Sequence, residues 1–118
     1  MTSVDVYGIA NCDTVKRARA WLAERGVEVR FHEFRKAGVP QDALQRWCAA
    51  VGWERLLNRQ GTTWRKLDDA AKAAVNDAAS ARALMLAQPS VIRRPVVVWP
   101  DGVTTVGFDA DDWARRAG

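Results

Sequence analysis

The stretch YGIANCDTVKRA, Tyr7 to Ala18, changes character halfway along its length. Residues 4–9, VDVYGI, mix β-branched and aromatic side chains and read as a strand. Asn11, Asp13 and Thr14 are residues that favour helix N-termini, and they precede an apolar side made by Val15, Ala18 and Leu22, with Trp21 beside it. That spacing predicts a helix over about residues 14–25, ended by Gly26 at the position after the cap. A strand that runs straight into a helix leaves the first helical N–H groups without intrahelical partners. Cys12 falls at that junction.

Outward from this stretch, VEVRFHEF at 27–34 alternates, with Val27, Val29 and Phe31 on one side and Glu28, Arg30 and His32 on the other, which predicts a second strand. Two strands joined through a helix are parallel. The middle of the chain reads as helical. Pro40 suits the first turn of a helix to Val51, stopped by Gly52, with Leu44, Trp47, Cys48 and Val51 forming a core-facing stripe. Trp53–Leu57 suggests a short turn and GTTWRKL at 61–67 a loop. Asp68 is the expected cap of a helix to Val75, and Ser80 of another ended by Pro89. The period then shifts: PVVVW at 95–99 is a continuous apolar strand, Pro100-Asp101-Gly102 a turn, and VTTVG its antiparallel partner. Asp109 is the expected cap of a last helix that contains Trp113. The order β-α-β, helices, β-β-α describes an α/β protein with a mixed four-stranded sheet. This is the thioredoxin-like arrangement, as one domain over residues 1–118 with a helical insertion at about 38–88. The pattern by itself is shared with ferredoxin-like and other small α/β folds.

Composition narrows the function. A chain of 118 residues with 48% apolar and 27% charged content is long enough for one cored domain. It has no run of about 18 apolar residues and no basic-then-apolar leader, so the expectation is a cytoplasmic protein that engages no membrane. The net charge is +4, but fourteen arginines and four lysines are scattered rather than clustered, and six tryptophans sit at core-type positions. Those features do not point to nucleic acid. One His and two Cys are too few for an ordinary four-ligand zinc site, and neither GxxxxGK[ST] nor GxGxxG occurs. The expectation is therefore no metal and no nucleotide. With no long exposed apolar helix asking for a partner, a monomer is the default.

The chemistry then turns on Cys12. N–H groups at a helix start favour an anion, and the thiolate is the nucleophilic form of cysteine. An exposed helix end is worth about 0.3–1 kcal/mol, against about 1.4 for one pKa unit, so a large effect on the thiol needs direct N–H bonds or a guanidinium. Cys48 completes an apolar stripe and reads as a small core residue. Position 15, three after Cys12, is Val, so no Cys-x-x-Cys dithiol exists there. A mixed disulfide on Cys12 needs an outside thiol to resolve it, and glutathione is the abundant candidate. In PSVIRRPVVVW, Arg93 or Arg94, before Pro95, is placed to reach an anion beside Cys12, if the sheet is of the thioredoxin type. Pro95 has the setting of a cis proline. Arg59 and Arg65, in LLNRQGTTWRKL, are arginines of a Gly-containing loop able to close over a site. His32 reads as a surface residue.

Together YGIANCDTVKRARAWL, GWERLLNRQGTTWRKL, DAASARALMLAQPSVIRRPVVV and GFD resemble the arsenate reductase-related (ArsC/Spx) family, specifically its YffB-like branch, over about residues 4–113. The resemblance implies a thioredoxin-like fold with an inserted helical subdomain and a nucleophilic cysteine at Cys12. Of three arginines that surround the oxyanion in arsenate reductases, one matches Arg94 in the Arg-Pro pair. A second falls at Asn58, with Arg59 one residue later. The third falls near Gly107 and Phe108, where this chain has no arginine. The implied function is a glutathione-dependent thiol-disulfide oxidoreductase with Cys12 as its catalytic residue. Asn11, Arg59, Arg94 and Pro95 are the expected binding residues, glutathione the co-substrate and glutaredoxin a partner. The alternatives are an Spx-like regulatory module that docks on RNA polymerase, and an arsenate reductase.

Overall fold

A computed structural model of the chain describes residues 3–117, so the expected domain limits at 1 and 118 lie just outside it. Its described residues separate into two compact units, residues 3–34 with 94–117, and residues 35–93.

The first unit holds the sheet. Strands β1 (Ser3–Gly8), β2 (Glu28–Glu33), β3 (Val96–Val98) and β4 (Thr104–Val106) lie in the order β2-β1-β3-β4. The β1–β2 pair is parallel, running from Ser3↔Glu28 to Gly8↔Glu33, while β1–β3 and β3–β4 are antiparallel. This is the α/β, thioredoxin-like sheet that the sequence pattern describes. Helix α1 (Asp13–Glu24) crosses from β1 to β2, and the helix containing Trp113 spans Ala110–Ala117. Both helices pack on one face of the sheet. There Val4, Val6, Ala18, Leu22, Val27, Val97, Trp99 and Trp113 form the core. Trp113 receives Trp99, Phe108 and Trp21 edge-on, at ring-centroid distances of 5.3, 4.8 and 5.9 Å. Such contacts add to the area each ring buries.

Local bonds set the ends of these elements. Gly26 N–H donates to the Ala23 carbonyl and Val27 N–H to the Leu22 carbonyl, the paired closure that stops α1. In the β3–β4 turn, Gly102 N–H reaches the Trp99 carbonyl at 2.9 Å and Val103 N–H reaches Asp101 Oδ1 at 3.1 Å. On the sheet, Asp5 accepts two bonds from Arg30, both 2.9 Å, and lies 2.9 Å from His32 Nε2, whose ring stacks on Tyr7.

Helix α2 (Phe34–Ala37) starts at the last residue of the first unit's N-terminal segment, and the second, helical unit continues with α3 (Gln41–Val51), α4 (Trp53–Leu56), α5 (Thr62–Arg65), α6 (Asp69–Ala73) and α7 (Ala78–Ala87). A 3₁₀ turn, Pro89–Val91, comes next, and the C-terminal helix Ala110–Ala117 is α8. Helix α3 packs on α4 and α7. Several details differ from the sequence reading. GTTWRKL is not all loop, because Thr62–Arg65 forms one helical turn. The cap of α7 is Asp77, not Ser80: Asp77 Oδ1 accepts the Ser80 N–H at 2.8 Å and Ser80 Oγ accepts the Asp77 N–H at 3.1 Å. That reciprocal arrangement places the serine inside the first turn. In α3, Leu44, Trp47 and Cys48 are buried, but Val51 is only half-buried and Ala43 joins the core side. Asp68 caps α6 as expected, accepting from Ala71 N–H at 2.7 Å, although the helix ends at Ala73 rather than Val75. Among the described residues no helix is long and apolar enough to cross a membrane.

Two outcomes follow from the packing of the first unit. A Cβ on Gly8 would lie 2.9 Å from Val15 Cγ2, a buried and rotationally stiff group. Gly8→Ala is expected to cost about 1–3 kcal/mol by urea unfolding, and adding Val15→Ala to cost less than the sum of the two separate losses. Burial pushes the Asp5 carboxyl up, but its bonds to His32 and Arg30 outweigh that and hold it below the usual value. A carboxyl lowered in this way stabilises the fold above its unfolded value of about 3.9, and the contribution is lost as pH falls through the lower folded value. Asp5→Asn is therefore expected to flatten the fall of the urea midpoint between about pH 2 and pH 5.

Candidate functional site

Strand β1 ends at Gly8, and after four intervening residues the chain is helical from Asp13. Ile9 is buried, while Ala10 and Asn11 are exposed. Cys12 N–H donates to the Ile9 carbonyl at 3.2 Å and closes a turn. Cys12 itself is the N-cap of α1, with φ −109° and ψ 127°, and its carbonyl accepts the first helical bond, from Lys16 N–H at 2.9 Å. The missing Cβ of Gly8 lets Val15 sit against the strand, which is what allows so short a link.

The half-buried thiol of Cys12 is a balance of opposed effects. Burial raises it. The Val15 N–H, the Arg94 guanidinium through both a hydrogen bond and its charge, and the Thr14 N–H lower it by more, so it ends below an ordinary thiol. The Cys12 side chain makes no regular capping bond, and the amides that lower its thiol are those of the first turn of α1. The needed direct help thus comes from first-turn amides and one arginine, as the size of the dipole effect requires. Lys16 and Arg17, although close in sequence, are exposed, and the guanidinium that bears on the sulfur is that of Arg94.

The two adjacent arginines have separate destinations. Arg94 serves the sulfur, whereas Arg93 Nε donates to the Arg55 carbonyl at 3.0 Å within the helical unit. There the segment 56–58 runs alongside 91–93: Arg93 N–H reaches the Leu56 carbonyl and Asn58 N–H the Val91 carbonyl, each at 2.8 Å. The Arg94–Pro95 peptide is cis, and the Pro95 carbonyl accepts the Gly107 N–H at 2.9 Å.

The sheet unit therefore brings Cys12, Asn11, Arg94 and Pro95 into one unit, with Arg94 on Cys12. Arg59 belongs to the helical unit, where its guanidinium stands 5.5 Å from the Trp53 ring and 5.8 Å from the Trp64 ring. Asn58 turns that loop, its Oδ1 accepting the Gln60 N–H at 3.1 Å. Arg65 closes α5 and is exposed. Cys48 is buried in α3, and burial pushes its thiol up against a smaller opposing pull from Arg82. At the positions where the resemblance implied a third arginine, this chain has Gly107 at φ 79° and Phe108 packed against Trp113. Among the described residues no group of three or more His, Cys, Asp or Glu could hold a metal ion.

One residue that bonds the link before Cys12 escaped the sequence reading. Glu33 accepts the Ala10 N–H at 2.8 Å. A signal for it existed. In the alternation of β2, Val29 and Phe31 turn toward the core, and the next residue on that side is an acid.

The sequence pattern of the ArsC family matches residues 7–116. An uncharacterized protein of Haemophilus influenzae is 36% identical over 110 residues, covering 93% of this chain and 95% of its own. The global transcriptional regulator Spx of Streptococcus pyogenes is 25% identical over 112 residues, covering 92% of this chain and 81% of its own. A solved structure of a protein named YffB superposes with a TM-score of 0.91 at 50% identity, over 98% of this chain and 99% of that one. With the cysteine at the first strand–helix junction and the arginine before a cis proline both in place, the chain belongs to the ArsC family.

Proposed function

We propose that the protein is a thiol-disulfide oxidoreductase that uses Cys12 as its single nucleophile and glutathione as the resolving thiol. The observation that carries this reading is the sulfur at the start of α1, lowered by the amides of Val15 and Thr14 and by Arg94. Membership of the ArsC family supports a thiol-based reductase.

The chemistry proceeds in two exchanges. The Cys12 thiolate attacks one sulfur of an acceptor disulfide, forms a new S–S bond and breaks the old one. The departing thiolate takes a proton from solvent. The glutathione thiolate then attacks the outer sulfur of the mixed disulfide, leaves as the glutathione adduct of that half of the acceptor, and returns Cys12 as thiolate. With Val at position 15 the protein cannot resolve the bridge at the motif, so the second thiol must come from outside. Arg94 holds the anionic sulfur and is suited to a glutathione carboxylate. Asn11 and Pro95 are assigned to binding the same molecule through the backbone beside the sulfur. Arg59 keeps its assignment to glutathione from the family resemblance alone. Glutaredoxin is the partner class that would clear a glutathione left on Cys12.

A second reading is favoured by the relation to the Spx regulator: a module that docks on RNA polymerase, with Cys12 as a redox sensor and no turnover. Arsenate reduction is the weaker alternative, because the position of the third guanidinium is occupied by Gly107 and Phe108.

Cys12→Ser is expected to abolish glutathione-dependent reduction of a small disulfide, and Cys48→Ser to leave it near the parent level. Full activity in the Cys12 variant would sink the oxidoreductase reading, and polymerase capture without any turnover would replace it with the second. In alkylation followed by mass spectrometry, Cys12 is expected to react with a pH midpoint below that of a free thiol, and Arg94→Gln to move that midpoint upward. Cys48 is expected to react only on denaturation.

A further inference from the structure

We propose that Glu33 is a positioning residue for Cys12: its carboxylate, by accepting the Ala10 N–H, fixes the loop that carries the nucleophile to the start of α1. The proposal rests on the reading of Cys12 as the nucleophile, but it concerns how that sulfur is held rather than what it attacks.

The ladder between β1 and β2 ends at the pair Gly8↔Glu33. Beyond it the chain has four residues in which to leave the sheet and enter the helix. Ile9 is anchored by burial, whereas Ala10 and Asn11 are exposed and have no apolar hold. Among the described residues, two hydrogen bonds bear on this link. The local one, Cys12 N–H to the Ile9 carbonyl, is long at 3.2 Å. The other, Ala10 N–H to Glu33 Oε2, is 2.8 Å and comes from a strand 23 residues away. A short bond to an ionised acceptor is the stronger of the two. Glu33 is thus the firmer attachment of the loop to the rigid sheet.

Its charge has the wrong sign to help the sulfur directly, since a carboxylate disfavours a nearby thiolate. The groups that act on Cys12 are its burial, the amides of Val15 and Thr14, and Arg94. Glu33 contributes through geometry, by keeping the sulfur where those amides and that guanidinium bear on it. An acceptor oxygen is what this role needs, and a charge is not. Glutamine therefore replaces glutamate here, and methionine, of the same length without an acceptor, does not.

The test compares Glu33→Met, Glu33→Gln and the parent by iodoacetamide alkylation of Cys12 across pH, with near-UV circular dichroism as the check on folding. Glu33→Met is expected to raise the midpoint and to slow the reaction at neutral pH roughly five- to tenfold, the effect of losing one ordinary hydrogen bond. Glu33→Gln is expected to stay within about twofold of the parent at the same midpoint. Should the methionine variant not fold, Glu33→Ala takes its place with the same expected result. A parent-like profile in the variant without an acceptor overturns the proposal, and so does a glutamine variant as slow as methionine, which would make the charge the active feature. These measurements need no turnover. Loss of the oxidoreductase reading, seen as full activity in Cys12→Ser, therefore remains a separate result.

Discussion

A strand that becomes a helix within four residues must bend its backbone sharply and leave several amides aimed at one spot. In this protein the bend is possible because Gly8 presents no Cβ to Val15, so the helix begins almost on top of the strand it follows. Cys12 occupies the spot at which the amides are aimed. The lowering of the Cys12 thiol depends on that packing contact, since the Val15 and Thr14 amides that act on it belong to the turn packed against Gly8. Arg94 enters from the loop before β3, and the antiparallel pairing of β3 with β1 fixes where that loop begins.

The two cysteines show how environment, rather than residue type, sets the acidity of a thiol. Cys48 lies on the buried side of α3, where low polarity favours the neutral thiol and keeps it inert. Cys12 is also partly withdrawn from water, which by itself would have the same result. The difference is made by oriented donors, whose effect grows as water is excluded. Partial burial at Cys12 therefore acts in both directions: it penalises the anion and strengthens the amides and the guanidinium that favour it.

Much of this was legible in the chain. The switch from β-branched and aromatic residues to helical spacing located β1, α1 and Cys12, and the Pro-Asp-Gly turn between two apolar runs located the hairpin. Both are local signals in which neighbouring residues carry the information. The first turn of α5 was not legible, since four residues hold little more than one period of a helix. The cap of α7 was misplaced by three residues because Asp77 and Ser80 are both good caps, and only their mutual bonding tells which lies outside the helix. Arg93 and Arg94 could not be told apart, because adjacent side chains diverge and the Arg55 carbonyl that takes one of them lies 38 residues away. Glu33 was missed for a similar reason: its partner is a backbone amide 23 residues distant, and only its break in the β2 alternation hinted at a role.

The segment after β4 carries a constraint on what the protein can become. Gly107 sits at a φ of 79°, a backbone region that disfavours any side chain with a Cβ, and Phe108 gives its ring to the aromatic cluster around Trp113. An arginine introduced at the first position would strain the backbone, and at the second it would remove a piece of the core. The absence of an arginine is therefore built into the architecture at both places. Single substitutions toward a cationic side chain are obstructed along this segment, whose latitude lies instead in residues that keep its turn and its ring contacts.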